Sequence, residues 1–204
     1  MFTGLIEKTG QVIANEKKGS AHRLTLSSSL ESWEAGESIA VNGVCLTLLP
    51  MTSAFLQFDL SSETIERTTL GDLSPGVSVN MERSLLASSR FGGHYVSGHV
   101  DTTAQVQFLK EADDFLQVEL SGFTVETKPY LIPKGSITVD GVSLTINEVK
   151  EQSIQLMLVP HTLLHTTLKQ LKAGQQVNIE FDYFTRIVAH QLQLMGKLDY
   201  EVKS

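Results

Sequence analysis

Two pairs of small polar residues stand out as groups that could contact a bound ligand. Cys45 and Thr47 are two positions apart, and Ser143 and Thr145 have the same spacing. If each pair lies on a β-strand, both of its side chains point to one face, because side chains alternate along a strand. Hydroxyl and thiol groups beside apolar neighbours suit the rim of a heterocycle. A structural role is the alternative, because Ser and Thr often cap turns and a lone cysteine often packs in a core.

The two polar pairs belong to a segment that the chain contains twice. Residues 38–47 read SIAVNGVCLT, and residues 136–145 read SITVDGVSLT. The similarity extends over nearly all of both halves, with an offset of 94 positions from Gly4 to Gly98 and of 98 from Gly43 to Gly141. Self-similarity on this scale predicts two homologous domains.

The pattern within each half is typical of short β-strands. Runs such as 55–60 and 116–120 alternate between apolar and polar residues, and Asn-Gly at 42–43 and Asp-Gly at 140–141 favour tight turns. Several short strands in each half predict an all-β fold built from small closed or Greek-key barrels. The stretches 64–70 and 162–168 predict one short helix each. We place the domains at residues 1–96 and 97–186.

The C-terminal segment, residues 187–204, has no counterpart in the first half and is predicted to form an amphipathic helix. Its apolar residues lie mostly on one helical face and are Ile187, Val188, Leu192, Leu194, Met195 and Leu198. Such a face packs either on its own barrel or against the same helix of other subunits. The second arrangement predicts a homo-oligomer.

Composition and charge indicate an ordinary folded protein. The chain has 204 residues, of which 41% are hydrophobic and 19% charged, and its net charge is −7. An acidic chain without a basic run disfavours binding to nucleic acid or to an anionic membrane. The single cysteine, the lack of a secretory signal pattern and the lack of a long apolar run predict a soluble, cytoplasmic protein.

The two halves differ at positions that could carry chemistry. Imidazole groups titrate near neutral pH, so His99 is a candidate proton shuttle, and Lys134 could offer a cation to a developing anion. Each of these side chains could instead be merely solvated or hydrogen-bonded. The aligned pairs that differ most, first half before second, are Leu5 and His99, Gly36 and Lys134, Cys45 and Ser143, and Glu63 and His161.

Familiar cofactor and metal motifs do not occur in the sequence. There is no P-loop, no GxGxxG motif after a strand and no CxxC motif. His161 and His165 have a spacing that could bind a metal, but no acidic or cysteine partner lies at a familiar distance. We interpret Gly92-Gly93-His94 as a flexible connector between the halves.

In combination, these motifs resemble the riboflavin synthase family, alpha-chain type, over essentially the full length. In that family each half is a six-stranded antiparallel barrel that binds one lumazine, and a C-terminal helix builds a homotrimer. The resemblance implies the dismutation of two 6,7-dimethyl-8-ribityllumazine molecules to riboflavin and 5-amino-6-(D-ribitylamino)uracil, without a cofactor or metal. The residues that carry it are 1–6 (MFTGLI), 38–47, 92–94, 97–101 (SGHVD) and 134–145.

The resemblance also implies a set of site residues. Catalytic roles are implied for Phe2, Ser38, Cys45, His99, Ser143 and Asp182. The first pocket would use Gly4, Leu5, Ile6, Cys45, Leu46, Thr47, Asp59, Leu60, Ser61, Ser62, Glu63 and Thr64. The second would use Gly98, His99, Val100, Lys134, Ser143, Leu144, Thr145, Met157, Leu158, Val159, Pro160, His161 and Thr162.

A non-catalytic lumazine- or flavin-binding protein of the same superfamily, such as an optical antenna, is the alternative to an enzyme. The chain keeps Ser-Gly-His-Val-Asp at 97–101 and Ser-Leu-Thr at 143–145, which favours the enzyme. Association with lumazine synthase, the enzyme that makes the substrate, is a further expectation on which the residues are silent.

Overall fold

The computed structural model describes residues 1–50 and 54–198. Within these residues the chain forms twelve β-strands in two antiparallel six-stranded sheets, three α-helices and three short 3-10 helices. The all-β prediction, with two equivalent halves and a terminal helix, is confirmed. No helix in the described part of the chain is long and apolar enough to cross a membrane.

The elements follow one another in the same order in both halves. The first sheet contains β1 (Lys8–Lys18), β2 (Ala21–Ser28), β3 (Ser38–Val41), β4 (Val44–Thr47), β5 (Leu56–Leu60) and β6 (Ser78–Arg83). The second contains β7 (Thr102–Ala112), β8 (Phe115–Ser121), β9 (Ser136–Val139), β10 (Val142–Val149), β11 (Ser153–Leu158) and β12 (Gln176–Phe181). The α-helices are α1 (Ser62–Arg67), α2 (Pro160–His165) and α3 (Tyr183–Leu194), and the 3-10 helices are Thr69–Asp72, Lys128–Tyr130 and Thr167–Gln170.

The two sheets have one topology but differ at one seam. The second sheet closes into a barrel through the pairing of β10 with β11, whereas the first runs β4-β3-β6-β1-β2-β5. In the first, the described residues at the edges β4 and β5 meet at a bridge between Leu48 and Phe58. Pro50 occupies the position of Glu148, which pairs with Gln155 in the closed barrel. Proline has no N–H, so Pro50 cannot donate a ladder hydrogen bond from its own backbone nitrogen.

Each half has its own apolar core. The first core includes Leu24, Leu26 and Phe58, and the second includes Leu120, Ile137 and Ile146, all of them fully buried. The repeated strands β4 and β10 turn Val44 and Val142 into these cores and leave Cys45 and Ser143 partly exposed. The alternation predicted for both polar pairs is therefore confirmed.

The short helical stretches each consist of two elements. Ser61 caps α1 by accepting a hydrogen bond from the Thr64 N–H at 3.1 Å, while Pro160 is the first residue of α2. Proline suits that position because the first helical N–H has no intrahelical partner. A 3-10 helix follows both α1 and α2, so each of the predicted stretches 64–70 and 162–168 spans two short helices rather than one.

Helix α3 begins at Tyr183, four residues before the predicted segment. Asp182 caps it by accepting hydrogen bonds from the N–H groups of Phe184 (2.9 Å) and Thr185 (3.1 Å). Ala189 is buried, and α3 contacts the 3-10 helix Lys128–Tyr130 of its own second barrel. Phe184 and Leu194 nevertheless remain 62% and 70% exposed. Residues 199–204 of the predicted segment lie outside the described residues.

Candidate active site

Two segments leave their own half of the chain and contact the other half. Residues 2–6, the N-terminal crossing segment, reach the second barrel, where the Gly4 carbonyl accepts a hydrogen bond from the Ser143 N–H at 2.8 Å. Residues 96–100, the central crossing segment, reach the first barrel, where the Gly98 carbonyl accepts one from the Cys45 N–H at 2.8 Å. Each polar strand therefore receives a segment from the other half.

Glycine is required where each crossing segment meets its strand. Gly4 and Gly98 have φ angles of +77° and +80°, a region that residues with a Cβ rarely adopt. A Cβ on Gly4 would lie 2.6 Å from the Cβ of Ser143, and one on Gly98 would lie 2.6 Å from the Cβ of Cys45. The backbone thus approaches both polar residues more closely than any side chain would allow.

A buried glutamate holds each crossing segment. Glu82 accepts hydrogen bonds from the N–H groups of Thr3 (2.7 Å) and Gly4 (3.0 Å) and from the Thr3 hydroxyl (3.1 Å). Glu180 accepts the same three bonds from Ser97 and Gly98, at 2.6 to 2.9 Å. Burial raises the pKa of both carboxyl groups, and the hydrogen bonds oppose that effect.

The first half-site is a cavity of about 300 Å³ at Cys45. It combines the polar face of β4, one face of α1 and the central crossing segment, which brings His99 and Val100 to it. Val100 also packs against the core of the first barrel. The lining residues are Val44, Cys45, Glu63, Thr64, Arg67, Thr68, Gly98, His99 and Val100.

The second half-site is centred on Ser143. The N-terminal crossing segment covers it from one side, and Ile6 packs against the core of the second barrel. A residue from the connector between the halves also enters, because His94 Nδ1 lies 2.7 Å from the Ser143 Oγ. Burial lowers the pKa of His94, while the charge of Asp182 opposes this.

The predicted grouping of residues into pockets is wrong in one respect. Gly4, Leu5 and Ile6 were placed with Cys45, and Gly98, His99 and Val100 with Ser143. The structure exchanges the two sets, because each segment crosses to the other barrel. His99 therefore lies in the first half-site and Leu5 beside the second.

The remaining predicted site residues fall into two groups. Ser38 pairs with Thr47 across β3 and β4 and so shares its face, while Phe2 is buried against Ala40, Val96 and Cys45. Others have structural engagements of their own. Asp59 forms an ion pair with Arg23 at 2.8 Å. Lys134 is exposed in a turn, and its backbone N–H donates to the Ile146 carbonyl at 2.7 Å. Leu46, Leu60 and Leu158 are buried in the barrel cores.

Residues 59–64 and 157–162 are the equivalent segments that lead from β5 into α1 and from β11 into α2, and their side chains differ. On α1, Glu63 and Arg67 form an exposed ion pair at 3.2 Å. On α2, the equivalent residues His161 and His165 place their ring centroids 4.1 Å apart. In the described part of the chain no group of three or more His, Cys, Asp or Glu side chains could hold a metal ion.

A polar network joins the two barrels beside the tight turns. The Asn80 and Asn178 amides donate to the carbonyls of Asp140 (3.0 Å) and Asn42 (2.9 Å) of the opposite half. Asn42 and Asp140 in turn accept hydrogen bonds from the N–H groups of Asn80 (2.7 Å) and Asn178 (2.8 Å) through their side-chain oxygens. Burial raises the pKa of Asp140 to about 7.

His94 is the site residue that the sequence reasoning missed, since Gly92-Gly93-His94 was interpreted as a flexible connector. A Cβ on Gly93 would overlap the Thr3 carbonyl oxygen and lie 3.1 Å from the Ser143 Cβ. The His94 N–H donates to that same Thr3 carbonyl at 3.1 Å. The glycine pair therefore marks a close approach of two backbones, which was the available signal.

The fold and the paired sites define a protein with two lumazine-binding domains. The model of the lumazine binding domain family matches residues 3–84 and again 97–182. Solved structures of LumP are similar: the complex with riboflavin has a TM-score of 0.82 and 27% identity, covering 89% of this chain and 99% of that chain. The complex with 6,7-dimethyl-8-(1'-D-ribityl) lumazine has a TM-score of 0.79 over 88% and 98%.

Curated relatives narrow the class further. Riboflavin synthase of Bacillus subtilis is 45% identical over 89% of this chain and 85% of the relative, and that of Photobacterium phosphoreum is 40% identical over 94% and 89%. The Mycobacterium tuberculosis riboflavin synthase is 37% identical over 96% of this chain and all of its own length. The chain belongs to the riboflavin synthase family of enzymes.

Proposed function

We propose that each half-site binds one molecule of 6,7-dimethyl-8-ribityllumazine and that a four-carbon unit passes from one molecule to the other. The products are riboflavin and 5-amino-6-(D-ribitylamino)uracil. The observation that carries this proposal is the duplication itself. Two equivalent half-sites, each completed by a crossing segment from the other half, suit a reaction between two copies of one molecule. Positioning both reactants removes most of the entropic barrier to their encounter.

The first half-site supplies groups for proton transfer. The C7 methyl group of the lumazine is acidic, so its proton needs an acceptor. His99 lies on the central crossing segment next to Cys45 and lines the same cavity. We assign removal of the C7 methyl proton to His99. Ser38 and Cys45 assist as hydrogen-bonding groups on the neighbouring strands.

The second half-site supplies a hydroxyl. Ser143 lies under the N-terminal crossing segment and is held by His94. Its position suits a group that assists at the electrophilic C7 of the second lumazine. The carbanion formed in the first half-site would then attack the molecule in the second.

A homotrimer is part of the proposal, with the first barrel of one subunit facing the second barrel of its neighbour. The exposed apolar residues of α3 support it, since Phe184 (62%), Val188 (58%) and Leu194 (70%) remain largely exposed within the described chain. We also place the protein in the cytoplasm, in line with its single free cysteine. Association with lumazine synthase stays a prediction.

The test is to mix the purified protein with the lumazine alone. Riboflavin and the pyrimidine should appear one for one, measured by absorbance and chromatography. The second candidate function is a non-catalytic lumazine- or flavin-binding protein, which the similarity to LumP favours. Tight binding without conversion would support that binding protein and contradict the enzyme.

A further inference from the structure

His94 is a buried titratable residue to which the proposed chemistry assigns no proton transfer. It is 8% exposed, and its Nε2 has no hydrogen-bond partner within the described residues. Its other ring nitrogen, Nδ1, lies 2.7 Å from the Ser143 Oγ. A histidine buried against a site serine needs an explanation, because most buried polar atoms have partners.

The surroundings of His94 fix the imidazole firmly. The backbone N–H of His94 donates to the Thr3 carbonyl at 3.1 Å. Nearby, Phe2 and Val96 exchange two backbone hydrogen bonds, at 2.9 and 3.2 Å. Gly93 packs between Thr3 and Ser143, where any Cβ would collide. The ring therefore lies between the N-terminal crossing segment and β10 and has little freedom to turn away from Ser143.

The orphan Nε2 indicates which nitrogen carries the proton. If Nδ1 accepted a hydrogen bond from the Ser143 hydroxyl, the proton of the neutral ring would be on Nε2, and this buried N–H would have no acceptor. If Nδ1 carries the proton instead, Nε2 is only an unused lone pair. Orphaned buried N–H groups are the rarer and more costly case. Burial also lowers the pKa of His94, which keeps the ring neutral.

We propose that His94 is a positioning residue that donates its Nδ1–H to the Ser143 Oγ and so directs the Ser143 hydroxyl hydrogen into the second half-site. Ser143 then acts as a hydrogen-bond donor to the bound lumazine rather than as a nucleophile. This inference rests on the proposed function, since it assumes that Ser143 faces a lumazine.

The first half-site lacks such a device. Among the described residues no side chain hydrogen-bonds to the sulfur of Cys45. The residue packs against the cluster that contains Phe2, and its N–H donates to the Gly98 carbonyl. The two half-sites therefore differ in kind: a fixed hydroxyl donor in the second and an unheld thiol in the first. The comparison supplies the control for the experiment.

A double-mutant cycle tests the proposal, with His94→Ala, Ser143→Ala and the double variant assayed for riboflavin formation. We expect each single change to lower kcat about tenfold or more with a smaller change in KM, and the double variant to match Ser143→Ala. The same cycle with Cys45→Ala is the control, in which the effects of His94→Ala and Cys45→Ala should multiply. Effects that multiply in the Ser143 cycle as well would overturn the inference.

His94→Asn separates positioning from proton transfer. The Asn amide can donate from nearly the same place as Nδ1 but cannot exchange a proton at neutral pH. It should restore most of the turnover lost in His94→Ala, and a variant as slow as His94→Ala would contradict positioning. Thermal unfolding of each variant, and riboflavin binding to the first half-site by fluorescence, confirm that the protein has folded. If the unaltered protein formed no riboflavin, the proposed function itself would fail instead.

Discussion

The two half-sites share a backbone and differ in the side chains placed on it. In both, a glycine with positive φ presses a crossing segment onto a polar strand, and a buried glutamate holds that segment by three hydrogen bonds. The side chains then diverge: His99 and Cys45 in the first half-site, and Leu5, Ser143 and His94 in the second.

This difference shows where the repeat was conserved by physical need and where it was free to specialise. The two buried glutamates and the two glycines cannot be replaced by other residue types. A Cβ on either glycine, or the loss of either carboxylate acceptor, would displace the crossing segment. The side chains placed in the two half-sites carry no such constraint. A duplicated scaffold can therefore present a base to one lumazine and a hydroxyl donor to the other.

The strongest test of the shared backbone is to add one methyl group to each crossing segment. Gly98→Ala should lower turnover by about 100-fold, since displacing a reacting group by about 1 Å has that effect. Its Cβ would lie 2.6 Å from the Cβ of Cys45. Gly4→Ala should do the same to the second half-site, and in each variant riboflavin titration should count one site fewer.

Gly76→Ala is the matched control for both glycine variants. Gly76 has a φ of +90° but nothing within 4 Å of its Cβ position, so it tests backbone strain without the collision. If Gly98→Ala and Gly76→Ala had equal turnover, close approach of the crossing segment would not matter.

The second prediction removes, one at a time, the differing side chains of the two crossing segments. His99→Ala should lower kcat by at least tenfold with little change in lumazine affinity, because proton transfer contributes roughly 10² to 10⁴ in rate. Leu5→Ala should instead raise KM with a smaller effect on kcat, because Leu5 offers only apolar contact. Steady-state riboflavin formation over a range of lumazine concentrations separates the two effects. An unchanged rate in His99→Ala would refute its role as the base.

The third prediction concerns Asp140 and Asn42, which occupy equivalent positions between the barrels. Burial raises the pKa of Asp140 to about 7 from 3.8, so the native state binds a proton that the unfolded chain has released. Stability from this group is therefore present at low pH and is lost as pH rises from about 4 through 7. Asp140→Asn keeps the oxygen that accepts from the Asn178 N–H and removes the charge.

The variant Asp140→Asn should thus be more stable than the natural chain at pH 8, by roughly 1 to 4 kcal/mol, and nearly equal to it at pH 4. Urea unfolding at several pH values measures this difference. The matched change Asn42→Asp should destabilise the protein at pH 8. A constant difference between pH 4 and pH 8 would show that Asp140 is already ionised without cost.

Much of this comparison could be predicted from the sequence, because the repeat carries its own alignment. The pairing of Gly4 with Gly98 and of Cys45 with Ser143 follows from matching residues. The sequence does not show which barrel each crossing segment contacts. The alignment of the two halves is the same whether each segment packs on its own barrel or on the other one. Only the hydrogen bonds from Ser143 and Cys45 to the opposite segments decide it.

Two other features needed the structure for related reasons. The seam of the first sheet appears only in the pairing of its edge strands, where Leu48 bridges to Phe58. His94 follows two glycines that signal flexibility when they are solvated and close packing when another backbone lies against them. The sequence does not say which neighbour a glycine has, and that neighbour decides between the two meanings.

The smallest expected effect comes from the helices that follow β5 and β11. The double change His161→Glu with His165→Arg copies the Glu63–Arg67 ion pair of α1 onto α2. Exposed pairs of this kind contribute only about 0.3 to 0.5 kcal/mol, so stability should barely move. Turnover should stay within about threefold if this region contacts lumazine through its backbone, as measured by riboflavin formation. A loss of tenfold or more would assign chemistry to the paired imidazoles and would add a further asymmetry between the half-sites.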